Sequence, residues 1–407
     1  MSKKKSDNQT MKPRSKAVAV STNNIDFFDK VAALVEQARV HVGRTADLTM
    51  CVTYFEIGRM IVEEEQGGKA RAEYGSGLLK ELSKRLNVRF KRGFSETNLK
   101  NARKFFLVYG QSIQQLLAAE SGMVATHAVR TNKADESANA SIRQLLTAEF
   151  DVPLRYWRSV FKVSWTHYLV LMRIKDADER RFYELETISQ GWSVGELKRE
   201  YNSSLYERLA LSRDKDEVMR LAKEGQVIEK PRDILKDPLV LEFLGMAEDA
   251  AYSEDDLESA VLDKLQKFLL EMGKGFLYEA RQKRFTFDEK HFKVDLVLYN
   301  RLLRCYVLID FKITELVHQD LGQMLMYVNY FDRYVKKEWE NPTVGILLCK
   351  ERDENIVELT LPEDANIYAT EYSLYLPDKS LLQQKLAEWV KEYEEAKEVI
   401  EAAQEEQ

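Results

Sequence analysis

The chain has 407 residues, with 61 Lys and Arg against 67 Asp and Glu, a net charge of −6 and 44% hydrophobic residues. That length supports two or three domains with cores of their own, and the absence of any run of about eighteen apolar residues excludes a membrane-spanning helix. Cys51, Cys305 and Cys349 form neither a zinc spacing nor a disulfide framework, which fits a reducing, cytoplasmic setting, and the five histidines never pair at metal-ligand spacing.

Residues 1–22 carry six cations against one acid and few large apolar residues, the pattern of a disordered basic arm. From about Asn24 the period is helical: Phe27, Val31, Leu34 and Val35 form one stripe, and Phe55, Met60 and Ile61 lie on a later helix. Between Lys69 and Lys104 there are eleven cations and three acids. Within that stretch Leu78, Leu79, Leu82 and Leu86 mark a helical face, Lys91-Arg92-Gly93 marks a break, and Ser95 can cap a second helix anchored by Leu99, Ala102, Phe106 and Val108. Two helices joined by a short glycine turn resemble a helix-turn-helix, so Arg92, Asn98, Lys100, Asn101, Arg103 and Lys104 are the candidates to contact DNA. Residues 120–141 read as a flexible insertion. A second helical block follows, in which Trp157, Trp165, Tyr168 and Trp192 are expected in the core and Ser193 caps a helix. The domain reading is a basic arm 1–22, a helical DNA-binding domain 23–210, a linker 211–250, a sheet-containing domain 251–376 and a C-terminal helix 377–407.

In the C-terminal half, Ser253 opens a capping box and a helix runs to Glu271, stopped by Gly273. Strand-like runs cover 276–287, 294–299 and 304–313, a helix covers about 315–335, and another strand covers 343–350. A mixed sheet flanked by helices is the expected packing. The run Cys305 to Ile313 is apolar on both faces except at Asp310 and Lys312, and the preceding strand is broken in the same way by Asp295. Charges inside a buried strand are costly unless paired or bound to metal. The short connection at 300–303 makes a hairpin, which sets Asp295 opposite about Leu308 and diagonal to Asp310. Carboxylates on one face repel unless a cation lies between them, and oxygen ligands without His or Cys suit Mg²⁺ or Mn²⁺. Two acids, a hard divalent ion and a lysine make a site for phosphodiester hydrolysis, with the Lys312 amine expected to have a lowered pKa. Glu258, on the capped helix, is placed to reach the metal; Gln323 and Tyr327, four apart on the later helix, are placed to contact nucleic acid or brace Lys312.

Asp295, Asp310-x-Lys312, the earlier Glu258 and the later Gln323-x-x-x-Tyr327 resemble the PD-(D/E)XK nuclease superfamily, with Asp310 where Glu is usual and Val294 where Pro is usual. The phrases at 54–59, 191–194 and 237–245 make the chain similar to the YhcG-like bacterial proteins, a group within that superfamily with a helical N-terminal domain. The resemblance implies a multidomain α and α/β protein: a helical, helix-turn-helix-like N-terminal domain, then a restriction-endonuclease-like mixed sheet flanked by helices. It implies a Mg²⁺- or Mn²⁺-dependent DNA endonuclease of mobile-DNA processing or genome defence. Asp295, Asp310, Lys312 and Glu258 would be catalytic, with the three acids as metal ligands. A DNA-binding scaffold with an inactive nuclease fold and an RNA-directed nuclease are the alternatives. From Asp378 onward, Leu382, Leu386, Trp389, Tyr393, Ala396, Ile400 and Ala403 follow a heptad rhythm, so a homodimer or higher homo-oligomer is expected.

Overall fold

The computed structural model describes residues 22–66, 74–128, 154–211, 215–246, 251–287, 289–362 and 364–388. The basic arm up to residue 21, residues 129–141 of the expected insertion and the heptad positions from Trp389 onward lie outside the described residues. The chain divides into two compact units, Met1–Trp165 and Thr166–Gln407.

The first unit holds α1 (Thr22–Gln66), α2 (Tyr74–Phe90), α3 (Glu96–Ala128) and α4 (Leu154–Val160). Its core forms where α1 meets α3, around Phe55, Leu99, Ala102 and Phe105. A Cβ at Gly58 would lie 2.0 Å from the Ala102 carbonyl oxygen, so only glycine lets the two backbones approach this closely. Trp157 and Trp165 are buried there, as expected, and Phe55 meets Trp157 edge-on at 5.7 Å. The turn falls where the sequence put it: Lys91 and Gly93 take φ of 67° and 100°, and the Ser95 hydroxyl accepts from the Asn98 amide at 3.2 Å. The N-terminal stripe of α1 differs from expectation, since Leu34 is 65% and Val35 45% exposed. Among the residues of α1 whose side chains are described, Leu48 is the first buried one, because the part before it has no covering element among the described residues.

The second unit begins with five helices: α5 (Trp165–Leu171), α6 (Ala177–Gln190), α7 (Val194–Asn202), α8 (Leu205–Leu211) and α9 (Lys215–Glu224). Ser193 and Glu196 make the expected capping box, their side chains and backbone amides bonding reciprocally at 3.3 and 2.6 Å. A six-stranded sheet follows. Its strands are β1 (Leu239–Val240), β2 (Phe276–Phe287), β3 (Lys290–Asn300), β4 (Cys305–Phe311), β5 (Val344–Cys349) and β6 (Ile367–Ser373), in the order β1-β6-β5-β4-β3-β2. The β2-β3-β4 meander is antiparallel and the rest is parallel. β4 is apolar on both faces because both are covered. On one side Ile309 and Phe311 pack with Leu257 and Phe268 from α10 (Glu254–Asp263) and α11 (Leu265–Met272). On the other, Leu308 and Leu347 pack with Leu321 and Met324 of α12 (His318–Tyr330).

Two features depart from the sequence reading. The helix expected from Ser253 to Glu271 breaks at Lys264, whose ammonium leaves the helix line to donate to the carbonyls of Phe243 and Leu244 at 2.8 and 2.9 Å. β1 and β6 are strands that the sequence reading lacks; two residues of β1 are too few to show a period, and they lie in the segment expected to be a linker. The compact units divide at Trp165, so residues 166–210 of the expected helical domain pack within the second unit. Helices α7 and α8 are tied to α11 by buried ion pairs, Arg199 to Glu271 at 2.5 Å and Arg208 to Glu271 at 2.7 Å.

Past β6, residues 379–388 are helical, and Asp378 caps them as expected, accepting from the amides of Ser380 and Leu381 at 2.9 and 3.3 Å. Lys379 meets Glu179 at 2.6 Å and Glu207 at 2.8 Å, and Gln383 donates to Glu207 at 3.0 Å. The first turns of the expected coiled-coil helix are therefore fastened to their own unit.

Candidate active site

The turn between β3 and β4 is residues 301–304, and Asn300 pairs with Cys305. Leu296 lies opposite Ile309, so the next rung sets Asp295 directly opposite Asp310. The sequence reading set Asp295 opposite Leu308; the true turn starts one residue later, which moves each pairing by two and keeps the face. Asp295 Oδ2 accepts from the Phe311 amide at 3.0 Å, which holds the carboxylate at the end of the β4 ladder.

Asp310 is only 4% exposed, and its Oδ2 lies 2.8 Å from Lys312 Nζ. Glu254 and Asp320 reach the same ammonium at 3.7 and 3.9 Å. Burial opposes the charge on Lys312, but Asp310, followed by Glu254 and Asp320, outweighs it and raises the amine to about 12. This reverses the lowered value expected from sequence, because the lysine sits among three acids. Burial first, and then the facing Asp310, push Asp295 up to about 7.

Glu258 approaches from α10, whose start is fixed by the Ser253–Asp256 capping box. Its neighbours Leu257 and Val261 are fully buried in the core, and Glu258 is itself 3% exposed. Glu258 Oε2 accepts from Gln282 Nε2 at 3.0 Å, while Oε1 is buried with no partner. On α12 the Gln323 amide donates to the Tyr327 hydroxyl, and the Tyr327 ring stands edge-on to Phe285 at 5.6 Å. Lys312, whose ion pairs are with Asp310, Glu254 and Asp320, lines the same cleft as Gln323 and Tyr327.

A cleft of about 270 Å³ collects Glu258, Asp295, Asp310, Lys312, Gln323 and Tyr327, all six of the residues singled out in this half of the chain. Glu254, His291 and Lys293 also line it and were not singled out. His291 and Lys293 lie four and two residues before Asp295 on β3, so continuing its period of two would have found them. Gln282 gave no signal, since only the folded edge strand brings it to Glu258.

The residues fit a hard divalent cation. Every donor is an oxygen, Glu258 Oε1 lacks a partner, and burial together with the facing Asp310 raises Asp295, the state that a cation between the two carboxylates would relieve. Among the described residues no three His, Cys, Asp or Glu side chains converge into a full ligand set. A cation here would take its remaining ligands from water or substrate phosphate, as Mg²⁺ does when one or two carboxylates hold it.

The candidate DNA-contact residues of the helix pair all lie in the first unit. Arg92 is exposed in the turn before α3, and Asn98 donates to the Gly93 carbonyl at 3.0 Å, bracing that turn. Lys100 is paired with Glu96 at 2.7 Å and Arg103 with Glu65 at 2.6 Å. Asn101 is half-buried, and Lys104 is exposed.

Comparison with known proteins matches this architecture. Residues 232–387 match the family model described as the YhcG PDDEXK nuclease domain, and residues 30–208 match the DUF1016 N-terminal domain. The chain is 38% identical over 360 residues to the Escherichia coli (strain K12) protein named "Putative nuclease YhcG", covering 88% of this chain and 92% of that relative. A solved structure, described as a repair endonuclease from Pyrococcus abyssi, overlaps 32% of this chain and 50% of its own at 20% identity, and its TM-score of 0.22 carries no argument. Among the described residues no helix is long and apolar enough to cross a membrane. With its site residues gathered in one cleft and its length matched almost throughout, this chain belongs to the YhcG family, a DUF1016 N-terminal domain followed by a YhcG PDDEXK nuclease domain.

Proposed function

We propose that the chain is a DNA endonuclease dependent on Mg²⁺ or Mn²⁺, with Asp295, Asp310 and Glu258 holding the cation. The observation that carries this reading is the opposed Asp295–Asp310 pair with Lys312 at 2.8 Å, in a cleft that Glu258 also lines. When bound, the divalent cation supplies the charge that polarises a phosphodiester and makes water a better nucleophile. Lys312, held as an ammonium by its three acids, donates to the phosphate oxygen on which negative charge develops. Asp310 orients that ammonium, and the Phe311 amide orients Asp295. Gln323 and Tyr327 form the wall along which the nucleic-acid strand lies.

The ribbon formed by β2 and β3 supports a polyanionic substrate. It carries Arg281, Lys283, Arg284 and Lys290, all exposed, and continues past Asp295 toward its hairpin end. The α2–α3 pair of the first unit, with Arg92, Asn98, Lys100, Asn101, Arg103 and Lys104, belongs to the same reading as a second DNA contact. Three buried free cysteines, their thiols pushed up to about 12 chiefly by burial, accord with a reducing compartment such as the cytoplasm. Self-association through the 377–407 helix, and a place in mobile-DNA processing or genome defence, extend the proposal on the heptad spacing and the resemblance.

The test is incubation of the full-length chain with supercoiled DNA, linear DNA and RNA, with and without Mg²⁺ or Mn²⁺. Cleavage of DNA only with the metal is expected, and Asp310→Asn should lower the rate by more than about 100-fold, beyond what loss of an indirect metal support costs. Equal cleavage by Asp310→Asn, or cleavage in chelator, would overturn the assignment.

A further inference from the structure

The β2–β3 ladder is irregular at two places, a bulge between Tyr278 and Ala280 and, beyond it, a missing rung. Arg281 pairs with Leu296 and Lys283 with Val294, but Gln282 and Asp295 between them do not pair. Gln282 takes φ of 45°, in the left-handed region that a non-glycine residue occupies only when its surroundings impose it. A backbone turned out of the extended region re-aims the side chain it carries. Here the Gln282 side chain leaves the edge strand, reaches α10 and donates Nε2 to Glu258 Oε2 at 3.0 Å.

The choice of residue type has a chemical consequence. Glu258 is buried, and a buried carboxylate needs a donor. An arginine or lysine at position 282 would supply one and neutralise the charge. A carboxamide fixes one oxygen and leaves the negative charge intact for the cleft that Glu258 lines. The second oxygen, Oε1, has no partner. Among the described residues no three acidic side chains converge on one point, so a cation held by Asp295 and Asp310 would leave room for water between it and Glu258.

We infer that Gln282 is a positioning residue of the nuclease cleft: it anchors Glu258 by Oε2, so that Oε1 serves, with Asp295 and Asp310, in holding the divalent cation. This rests on the metal-dependent reading of the cleft. The observations it uses, the missing rung, the left-handed backbone and the unpartnered oxygen, are independent of that reading.

The experiment is calorimetric titration of Mn²⁺ into full-length wild type, Gln282→Met and Gln282→Gly, with cleavage followed at low and saturating Mn²⁺. Gln282→Met keeps length and removes the amide; Gln282→Gly also removes the backbone strain, so at least that variant is expected to fold as well as wild type. A Kd for Mn²⁺ raised about tenfold or more in both is expected, the usual consequence of losing an indirect ligand support. Saturating Mn²⁺ should restore most of the cleavage rate. A folded Gln282→Met or Gln282→Gly that binds Mn²⁺ within about twofold of wild type overturns the inference and leaves the cleft reading standing. Wild type that binds no Mn²⁺ overturns the cleft reading and this inference with it.

Discussion

Along α3 of the first unit, Lys100 and Arg103 are closed by Glu96 and Glu65 at 2.7 and 2.6 Å. Along β2 and β3 of the second unit, Arg281, Lys283, Arg284 and Lys290 are exposed and, among the described residues, have no ion pair. The first region has the larger surplus of positive charge in the sequence, yet part of that surplus is already balanced within its own helices. Formal charge thus overstates what a helix offers to phosphate, and an extended ribbon can offer more with fewer residues. The inside of the second unit adds another contrast. There Arg199, Arg208, Lys236, Glu200 and Glu271 lie together, all but the partly covered Arg199 fully buried, and their charges serve the fold.

The largest effect is expected in that buried group. Glu271 meets Arg208 at 2.7 Å and Arg199 at 2.5 Å, and its Oε1 also accepts from the Val240 amide at 3.0 Å. Removing one partner leaves uncompensated buried charge, so Glu271→Gln should lower stability by about 3–5 kcal/mol in urea unfolding. A change below about 1 kcal/mol would mean that these charges are solvated like those of α3. The pH dependence has a definite sign. Burial opposes ionisation of Glu271, but Arg208, Lys236 and Arg199 outweigh it and hold the carboxyl well below its usual range. A folded-state pKa depressed in this way contributes stability above the ordinary carboxylate range, lost as pH falls below it. Wild type should therefore lose stability on acidification more steeply than Glu271→Gln.

The cleft runs the other way. Asp295 is pushed up to about 7 by burial and by Asp310, so its folded-state pKa is raised. Stability tied to Asp295 is present below the ordinary carboxylate pKa and declines as pH rises toward about 7. In chelator at pH 8, Asp295→Asn should stabilise the chain by on the order of 2 kcal/mol, and the gain should vanish near pH 4. Thermal unfolding across that range checks it. A variant that destabilises at pH 8 would mean that the Asp295–Phe311 hydrogen bond outweighs the repulsion.

These opposite signs explain what was legible. Asp295, Asp310 and Lys312 stood out because they interrupt strands that are otherwise apolar, and a charge in such a place has a cost that needs a reason. The register between them was off by two because the exact turn residues are set by Asn300, whose side chain accepts from the amides of Leu302 and Leu303 at 3.0 and 3.1 Å. Glu258 was visible through its capping box and helical stripe. Glu271, Arg199 and Arg208 were not, because Glu and Arg on a short helix look like solvated surface until a second helix covers them. The same ambiguity, in reverse, made the exposed Leu34 and Val35 of α1 read as core. Gln282 was illegible for another reason: its role depends on a local break in an edge strand, which leaves no period to read.

The smallest effect separates the two basic regions most directly. Neutralising Lys283, Arg284 and Lys290 together to Gln should weaken binding to a DNA duplex and flatten its salt dependence. Each lost phosphate contact lowers the slope of log affinity against log salt by roughly 0.9. Neutralising Lys100, Arg103 and Lys104 should flatten it less, because Lys100 and Arg103 must first leave Glu96 and Glu65, and only Lys104 starts exposed without an ion pair among the described residues. Binding is measured in Asp310→Asn, so that cutting does not interfere. Equal flattening by both triples would show that the α3 pairs open on DNA at little cost, as exposed ion pairs worth less than about 1 kcal/mol can. No flattening by the ribbon triple would assign its lysines and arginines to protection of the sheet instead. β2 is the open edge of that sheet, and exposed cations also keep such an edge from pairing with a second copy. Edge protection has its own signature, since the ribbon triple would then self-associate in light scattering while its affinity for DNA stayed that of the parent.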